Sequence, residues 1–292
     1  MKHRTTARAR PSWFDKLAMK DDVPKTVMGG AVPSSTIAIA GASLEMFDAG
    51  DGAPVLFLHG CDGLDPGHRY VAKLSDQARL LAPSHPGFGR STLPDWLTEV
   101  DDISYIYLEL LDHLRLSVVD LVGCSIGAWI AAEMATKAPD RFRRIVLSAP
   151  MGVKTGPSDR LDIPDVFAMP EDQVTALMFH DPAKGRLDAT ALSDEQLAIR
   201  LRNRESLALL TWEPYMHNPK LRHRLHRIGC PVLFLRGESD GLISQAYLGR
   251  YAALLPDARC DSIAAAGHAP EVEQPEAFAA RVIAFLGAST GA

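Results

Sequence analysis

The sequence predicts an α/β fold in which helices flank a mostly parallel central sheet. Two short runs, residues 55–58 and 232–235, are entirely apolar, as expected of parallel strands that are buried on both faces. Stretches with helical periodicity alternate with such runs over most of the chain. Polar, glycine-rich loops follow several predicted strands, and open α/β sheets bind their ligands at such strand ends. Together these observations favour a parallel α/β sheet.

Strands and helices alternate regularly in the first half of the chain. The predicted strands cover residues 36–40, 43–47, 55–58, 79–83, 118–122 and 144–149. The predicted helices cover residues 70–78, 101–116 and 128–137. Apolar residues recur at helical spacing in the second of these helices, so one of its faces is expected to pack on the sheet.

Residues 155–227 interrupt this alternation. They contain no apolar run typical of a buried strand, six prolines divide them, and helical stretches recur at 173–179 and 193–210. A loop of this length without secondary structure is uncommon in a compact domain, so we interpret the segment as a helical insertion. A strand over 232–235, a helix over 245–255, a weak strand over 259–264 and a helix over 276–286 follow it. We therefore predict an N-terminal arm over 1–33, a core formed by 34–154 and 228–292, and a helical cap over 155–227.

The composition is that of an ordinary globular protein and gives no sign of a nucleic-acid or membrane partner. Of the 292 residues, 47% are hydrophobic and 23% are charged, and the formal net charge is −5. The basic run at 222–227 lacks interleaved aromatic residues, so a solvated helix face is expected there. No segment is apolar enough to span a bilayer, and no apolar stretch follows the basic N-terminus as in a secretory signal. A cytoplasmic location is predicted, and the oligomeric state is left open.

The spacing of cysteines and histidines predicts neither a disulfide framework nor a metal site. The four cysteines form no C-x-x-C pair; they are Cys61, Cys124, Cys230 and Cys260. Histidines and carboxylates are scattered without the spacing of metal ligands. We expect no metal and no cofactor.

The pattern G-x-S-x-G at residues 123–127 lies between a predicted buried strand and a predicted helix. In that setting the pattern indicates a nucleophile elbow, a tight turn that presents the Ser125 hydroxyl above the sheet. Such a turn holds the serine in an unfavourable backbone conformation, and Gly123 and Gly127 relieve the crowding around it. Ser125 is therefore the predicted nucleophile.

Two further candidates, Asp240 and His268, follow the ends of later predicted strands. A serine hydroxyl becomes nucleophilic when an imidazole accepts its proton, and a carboxylate orients that imidazole. The chain order Ser125, Asp240, His268 is the order of triads on α/β-hydrolase sheets. We predict Asp240 as the acid and His268 as the base, with Glu238 and Asp261 as alternative acids.

These motifs resemble those of the α/β-hydrolase superfamily over about residues 35–150 and 228–290. The matching segments cover residues 59–61, 85–91, 123–127, 237–240 and 267–270. In this superfamily two backbone N–H groups form an oxyanion hole, and the resemblance assigns them to Cys61 and Ile126. The histidines that begin two of these loops, His59 and His85, are expected to be structural.

The resemblance implies a serine hydrolase, and the main prediction is the cleavage of carboxylic esters through an acyl-enzyme. The substrate is expected to be a small-molecule ester with an apolar group. The candidate pocket residues are Trp212, Tyr215 and Met216 from the predicted cap, and Trp129, Met151 and Ile243 from the core. A lining of methionine and aromatic side chains suits an apolar acyl or alcohol group.

Other reactions stay open. Carbon–carbon bond hydrolases of ring-cleavage products use the same serine, but they typically carry a tryptophan after the catalytic histidine, where this chain has Ala269-Pro270. Because of that departure, carbon–carbon bond hydrolysis is the second candidate reaction after ester hydrolysis. Lactonases and cofactor-free perhydrolases share the acyl-enzyme, whereas haloalkane dehalogenases and epoxide hydrolases have an aspartate in place of Ser125 and are disfavoured. A ligand-binding protein that keeps only the pocket is the non-enzymatic alternative, although it needs no triad.

Overall fold

The computed structural model describes residues 34–186 and 189–288, and the predicted arm over 1–33 lies outside them. Within the described residues, eight strands form one sheet in the order β1-β2-β4-β3-β5-β6-β7-β8. The strands are β1 (Ser34–Ile39), β2 (Ala42–Ala49), β3 (Pro54–Leu58), β4 (Arg79–Pro83), β5 (Val119–Cys124), β6 (Phe142–Ser148), β7 (Val232–Gly237) and β8 (Ala258–Ile263). β2 pairs antiparallel with β1 and β4, and all other neighbours are parallel. The predicted mostly parallel sheet is confirmed.

Alternate residues of the central strands face opposite sides of the sheet and contribute to two hydrophobic cores. In β3, Leu56 and Leu58 belong to one core, whereas Val55 and Phe57 belong to the other. The strand is fully apolar because both of its faces are covered. Helices on the first face are α2 (Val100–His113), α3 (Ile126–Lys137) and α7 (Gln245–Ala252), and those on the second are α1 (Arg69–Ser75) and α9 (Pro275–Gly287).

A helical segment, residues 155–227, separates β6 from β7, and its described residues add no strand to the sheet. Its helices are α4 (Glu171–Met178), α5 (Pro182–Gly185) and α6 (Asp194–Thr211); the short α8 (Pro270–Glu273) lies later in the chain. α6 begins after Ser193, which forms a capping box with Gln196. In the part of the chain that the structure describes, no helix combines the length and hydropathy needed to cross a membrane.

α6 is hydrogen-bonded to two loops at the carboxyl ends of strands. Asn203 donates from Nδ2 to the carbonyl oxygen of Asp62 at 2.7 Å and accepts at Oδ1 from the N–H of Gly89 at 2.9 Å. The hydroxyl of Ser206 donates to the carbonyl oxygen of Gly87 at 2.6 Å. Hydrogen bonds therefore connect the helical segment to the loops at the edge of the sheet where the predicted nucleophile lies.

Candidate active site

Ser125 occupies the turn between β5 and α3. Its φ of 54° and ψ of −115° form a conformation that non-glycine residues rarely adopt, and such strain costs on the order of 1–3 kcal/mol. A Cβ atom at Gly123 would lie 2.5 Å from the carbonyl oxygen of Gly127, and one at Gly127 would lie 2.5 Å from that of His59. The Ser125 N–H donates to the carbonyl oxygen of Ser148 at 2.8 Å, which holds the strained turn against β6.

Ser125, His268 and Asp240 form one hydrogen-bonded chain. The Ser125 Oγ lies 2.8 Å from His268 Nε2, and His268 Nδ1 lies 3.1 Å from Asp240 Oδ2. The other Asp240 oxygen accepts the N–H groups of Leu242 and Ile243 at 2.8 and 2.9 Å. With its proton on Nδ1, the imidazole donates to Asp240 and leaves Nε2 free to accept the serine proton.

The environment of His268 favours its protonated form despite burial. Burial alone lowers the pKa of His268, but the charge of Asp240 and the hydrogen bond to it outweigh this, and the pKa is raised from 6.5. The Asp240 carboxylate therefore stabilises the protonated form of the imidazole. The two alternative acids lie elsewhere: Asp261 pairs with Arg281, and the Glu238 carboxylate lies 3.4 Å from the Ser262 hydroxyl.

The loop that carries His268 is attached to the helical segment. The His268 N–H donates to the carbonyl oxygen of Met178, at the end of α4, at 2.6 Å. The Glu273 carboxylate accepts the N–H of Gly267 at 2.6 Å and the N–H groups of His180 and Asp181 at 3.1 Å each. We did not predict this role of Glu273, because nothing in its sequence position shows that three backbone groups converge on it.

The loop of residues 59–61 lies directly against the nucleophile. A Cβ atom placed on Gly60 would be 3.6 Å from the Ser125 Cβ and 3.8 Å from the carbonyl oxygen of Cys124. Ile126 is the first residue of α3, and the first N–H groups of a helix have no partner within it. The two predicted oxyanion donors, Cys61 and Ile126, thus belong to segments that flank Ser125.

Two buried histidines support this loop. His59 Nε2 accepts the His85 N–H at 2.9 Å, His85 Nε2 lies 2.9 Å from the His59 carbonyl oxygen, and His85 Nδ1 lies 2.6 Å from the Tyr107 hydroxyl. Burial lowers the pKa of His59 to about 4 and that of His85 well below 6.5. Both rings are therefore neutral at physiological pH and act as hydrogen-bonding supports of the backbone.

A cavity of about 360 Å³ lies between the helical segment and the loops around Ser125. Its wall is mostly apolar and includes Cys61, Met151, Val166, Phe167, Val174, Met178, Phe179, Leu207, Met216 and Leu242. Two of the six predicted pocket residues, Met151 and Met216, belong to this wall. The volume and the lining suit a small molecule with an apolar portion.

The other four predicted pocket residues do not line this cavity. The Trp129 indole N–H donates to Glu133 at 3.2 Å inside the core. The Tyr215 hydroxyl donates to the Pro164 carbonyl oxygen and accepts the Val166 N–H, at 2.6 and 2.9 Å. Trp212 is 59% exposed, and Ile243 is fully buried and holds Asp240 through its backbone N–H.

Charged side chains that we did not predict also line the cavity. Glu171 and Arg204 lie 3.9 Å apart, and more than half of each side chain is exposed. Arg200, on α6, has no hydrogen bond or ion pair to any residue of the described ranges, and its charge acts on Cys61. It is therefore available to an anionic ligand group. No group of three His, Cys, Asp or Glu side chains that could hold a metal ion is present among the described residues.

Comparisons with known proteins give a family and several relatives. A family model described as the alpha/beta hydrolase family matches residues 55–281. A 2-hydroxymuconate semialdehyde hydrolase of Pseudomonas putida is 26% identical over 276 residues, which cover 86% of this chain and 92% of the relative. A 2-hydroxy-6-oxo-2,4-heptadienoate hydrolase of Pseudomonas putida is 26% identical over 290 residues, which cover 85% of this chain and 94% of the relative.

Solved structures share the fold at lower sequence identity. The enol-lactonase from Burkholderia xenovorans LB400 has a TM-score of 0.71 and 20% identity, covering 87% of this chain and 100% of that one. A meta-cleavage product hydrolase from Pseudomonas fluorescens IP01 has a TM-score of 0.67 and 20% identity, and the match covers 86% of this chain and 97% of that one. At these identities the likeness shows the fold.

Proposed function

The chain belongs to the alpha/beta hydrolase family, and we propose that it hydrolyses a carbon–carbon bond beside a carbonyl group in a small unsaturated carboxylate. The observation that carries the hydrolytic chemistry is the hydrogen-bonded chain Ser125–His268–Asp240. The substrate class is inferred from the two Pseudomonas putida relatives, whose names describe conjugated acids with a further carbonyl group. The ester reaction predicted from the sequence becomes the second candidate.

In the first half of the reaction Ser125 is acylated. His268 Nε2 accepts the Ser125 proton while Oγ attacks the carbonyl carbon. The carbonyl oxygen becomes an oxyanion, which the backbone N–H groups of Cys61 and Ile126 stabilise. The carbon–carbon bond can break in the keto tautomer of the substrate, in which the 2-hydroxy proton has moved to the carbon beside the 6-oxo group. When the intermediate collapses, this bond breaks, its electron pair passes through the conjugated chain to the 2-oxo oxygen, and His268 returns the proton to the resulting dienolate oxygen.

In the second half water releases the acyl group. His268 accepts a proton from water as the water oxygen attacks the acyl carbon, and the same two N–H groups stabilise the second oxyanion. Collapse of this intermediate returns the proton to Ser125 and liberates a carboxylic acid. Asp240 holds the imidazole in one orientation throughout.

The position of Arg200 in the cavity wall is evidence for an anionic substrate. It lies in the cavity wall with no ion-pair partner within the described ranges, and the charge of Arg200 already acts on the Cys61 thiol of the proposed oxyanion loop. A guanidinium group binds a carboxylate through two parallel hydrogen bonds. The substrate carboxylate therefore pairs with Arg200, and the apolar wall contacts the rest of the molecule. In this arrangement residues 155–227 serve as the cap that supplies the binding cavity.

One observation keeps ester hydrolysis as the second candidate. Ala269 and Pro270 follow His268, whereas the carbon–carbon hydrolases that this chain resembles typically have a tryptophan in the first position. Acylation and deacylation of Ser125 would proceed identically with an alcohol as the leaving group. The two candidates therefore differ in the leaving group and in the need for a substrate carboxylate.

Arg200→Gln separates the two candidates. Turnover of 2-hydroxy-6-oxo-2,4-heptadienoate and of a neutral p-nitrophenyl ester is measured for the native protein, for Arg200→Gln, and for a control, Arg222→Gln, at an exposed arginine outside the cavity wall. A charge-assisted hydrogen bond contributes about 1.5–3 kcal/mol, so KM for the dienoate is expected to rise about 10- to 100-fold in Arg200→Gln. KM for the neutral ester and both KM values of Arg222→Gln should stay at the native level.

The relative rates of the native protein decide between the reactions. The proposal predicts a higher kcat/KM for the dienoate than for the neutral ester. Turnover of esters without turnover of the dienoate would support the second candidate. Equal loss of both activities in Arg200→Gln would contradict the role of Arg200 as a carboxylate site.

A further inference from the structure

Glu271 is a buried carboxyl group behind the loop of residues 59–61. It belongs to α8, three residues after His268, and is 7% exposed. Its Oε1 lies 3.9 Å from the position that a Cβ atom on Gly60 would take, and that position is 3.6 Å from the Ser125 Cβ. The carboxyl group therefore lies against the loop that carries the proposed oxyanion donor Cys61.

The other oxygen of this carboxyl group has no hydrogen-bond partner. Oε2 is fully buried, and no donor or acceptor of the described residues bonds to it. A buried carboxylate oxygen without a donor is disfavoured, whereas a protonated carboxyl group is tolerated. The geometry therefore favours the neutral form of Glu271.

The groups that face Glu271 come from every element packed around it. The ionisable ones are Asp62 and Cys61 in the loop after β3, Tyr70 in α1, Cys124 at the end of β5, Asp240 after β7, and His268. Burial first, and then the charges of Asp62 and Asp240, raise the pKa of Glu271 to about 7. The hydrogen bond from its own backbone N–H and the charge of His268 lower the pKa, and burial outweighs them. In return, the charge of Glu271 raises the pKa of His268.

We propose that Glu271 is a positioning residue that sets the pH window of the Ser125–His268 pair. In its neutral form it supports the 59–61 loop, and when it ionises it places a second negative charge beside the oxyanion hole. This inference rests on the proposed hydrolytic function, but it does not depend on the substrate class.

The direction of the effect follows from the charges that form during acylation. Acylation of Ser125 creates an oxyanion at the 59–61 loop and an imidazolium at His268. Asp240 already stabilises the imidazolium at 3.1 Å. A charge on Glu271 opposes the oxyanion, because one oxygen of its carboxyl group lies against that loop. Ionisation of Glu271 should therefore slow acylation.

The test is the rate at which a fluorophosphonate labels Ser125, measured from pH 5 to pH 10. This rate reports the activated serine whatever the natural substrate is. For the native protein it should rise as His268 loses its proton and fall again above about pH 7, and a charge this close to the oxyanion lowers the rate on the order of tenfold. In Glu271→Gln the alkaline fall should be absent. The control Glu276→Gln, at an exposed neighbour in α9 that pairs with Arg69, should keep the native profile.

The outcomes distinguish this inference from the proposed function. Labelling with an alkaline limb that is unchanged in Glu271→Gln would overturn the role of Glu271 and leave the hydrolase proposal intact. Absence of labelling at every pH would overturn both. If Glu271→Gln does not fold, infrared difference spectra of the native protein replace it. Because Glu133 also keeps a proton up to about pH 7, the same spectra are recorded for Glu133→Gln. A protonated-carboxyl band that persists in Glu133→Gln and is lost with the same midpoint as the labelling rate supports the proposal, and a labelling rate that falls without such a band contradicts it.

Discussion

Gly127 is the residue that lets the turn at Ser125 close. A Cβ atom there would meet two backbone carbonyl oxygens, those of Leu58 and His59, which cannot move without distorting β3 and the loop of residues 59–61. Overpacking against rigid atoms costs about 1–3 kcal/mol. We expect Gly127→Ala to lower the free energy of unfolding by about this amount and to slow phosphonate labelling of Ser125, as measured by urea unfolding and by mass spectrometry.

Gly249→Ala is the matched control for this substitution. Gly249 lies inside α7, and a Cβ atom there would have no neighbour within 4 Å. Alanine is favoured over glycine in a helix by about 0.8–1 kcal/mol, so this variant should be at least as stable as the native protein and should label at the native rate. Equal stability and equal labelling rates in the two glycine variants would contradict the explanation that the turn needs glycine at position 127 for steric reasons.

At the scale of elements, α3 is attached to its surroundings through the buried carboxyl group of Glu133. Its Oε1 accepts from the Trp129 indole at 3.2 Å and from Asn218 Nδ2 at 2.7 Å, and its Oε2 lies 3.4 Å from Lys137 Nζ. Lys137 also pairs with Asp101 of α2 at 2.7 Å. Burial and the neighbouring Asp101 carboxyl raise the pKa of Glu133 from 4.5 to about 7, so Glu133 carries the proton of this pair.

This raised pKa makes the stability of the fold depend on pH. Between pH 4.5 and about 7 the folded protein keeps a proton on Glu133 that the unfolded chain has lost, so stability falls as the pH rises through this window. From pH 5 to pH 8 Glu133 should therefore remove on the order of 1–3 kcal/mol from the free energy of unfolding. The free energy of unfolding of Glu133→Gln, measured by urea unfolding, should fall less between pH 5 and pH 8, and the difference from the native protein should be this amount.

Glu109→Gln provides the comparison on α2, because Glu109 is exposed. Its unfolding free energy should follow the native dependence on pH. A native pH dependence in Glu133→Gln would mean that Glu133 is ionised in the folded protein throughout this range.

At the scale of the whole molecule, the features that could be predicted from the sequence are those that depend on pattern and chain order. The apolar run of β3 is readable because burial on both faces excludes polar residues from it. The approach of Ser125, Asp240 and His268 follows from their positions after parallel strands, since the carboxyl ends of such strands meet at one edge of the sheet. Neither inference needs the position of an individual side chain.

What could not be predicted depends on which side chains meet after folding. Trp129 faces Glu133 one helical turn further on, and Tyr215 binds the backbone at Pro164, so neither reaches the cavity. Arg200 gave no signal among the many charged residues of 155–227, because its lack of an ion-pair partner among the described residues is a tertiary property. Glu271 is likewise an ordinary surface residue type whose burial is decided by the packing of α8.

The role of Ser125 as nucleophile is tested most directly by the intact mass of the protein after reaction with a fluorophosphonate at neutral pH. Ser125 is the proposed nucleophile, and its Oγ lies 2.8 Å from His268 Nε2. We expect one adduct per chain, located on Ser125 by peptide mapping, and no adduct in Ser125→Ala. An unmodified native protein, or an adduct that persists in Ser125→Ala, would contradict this role.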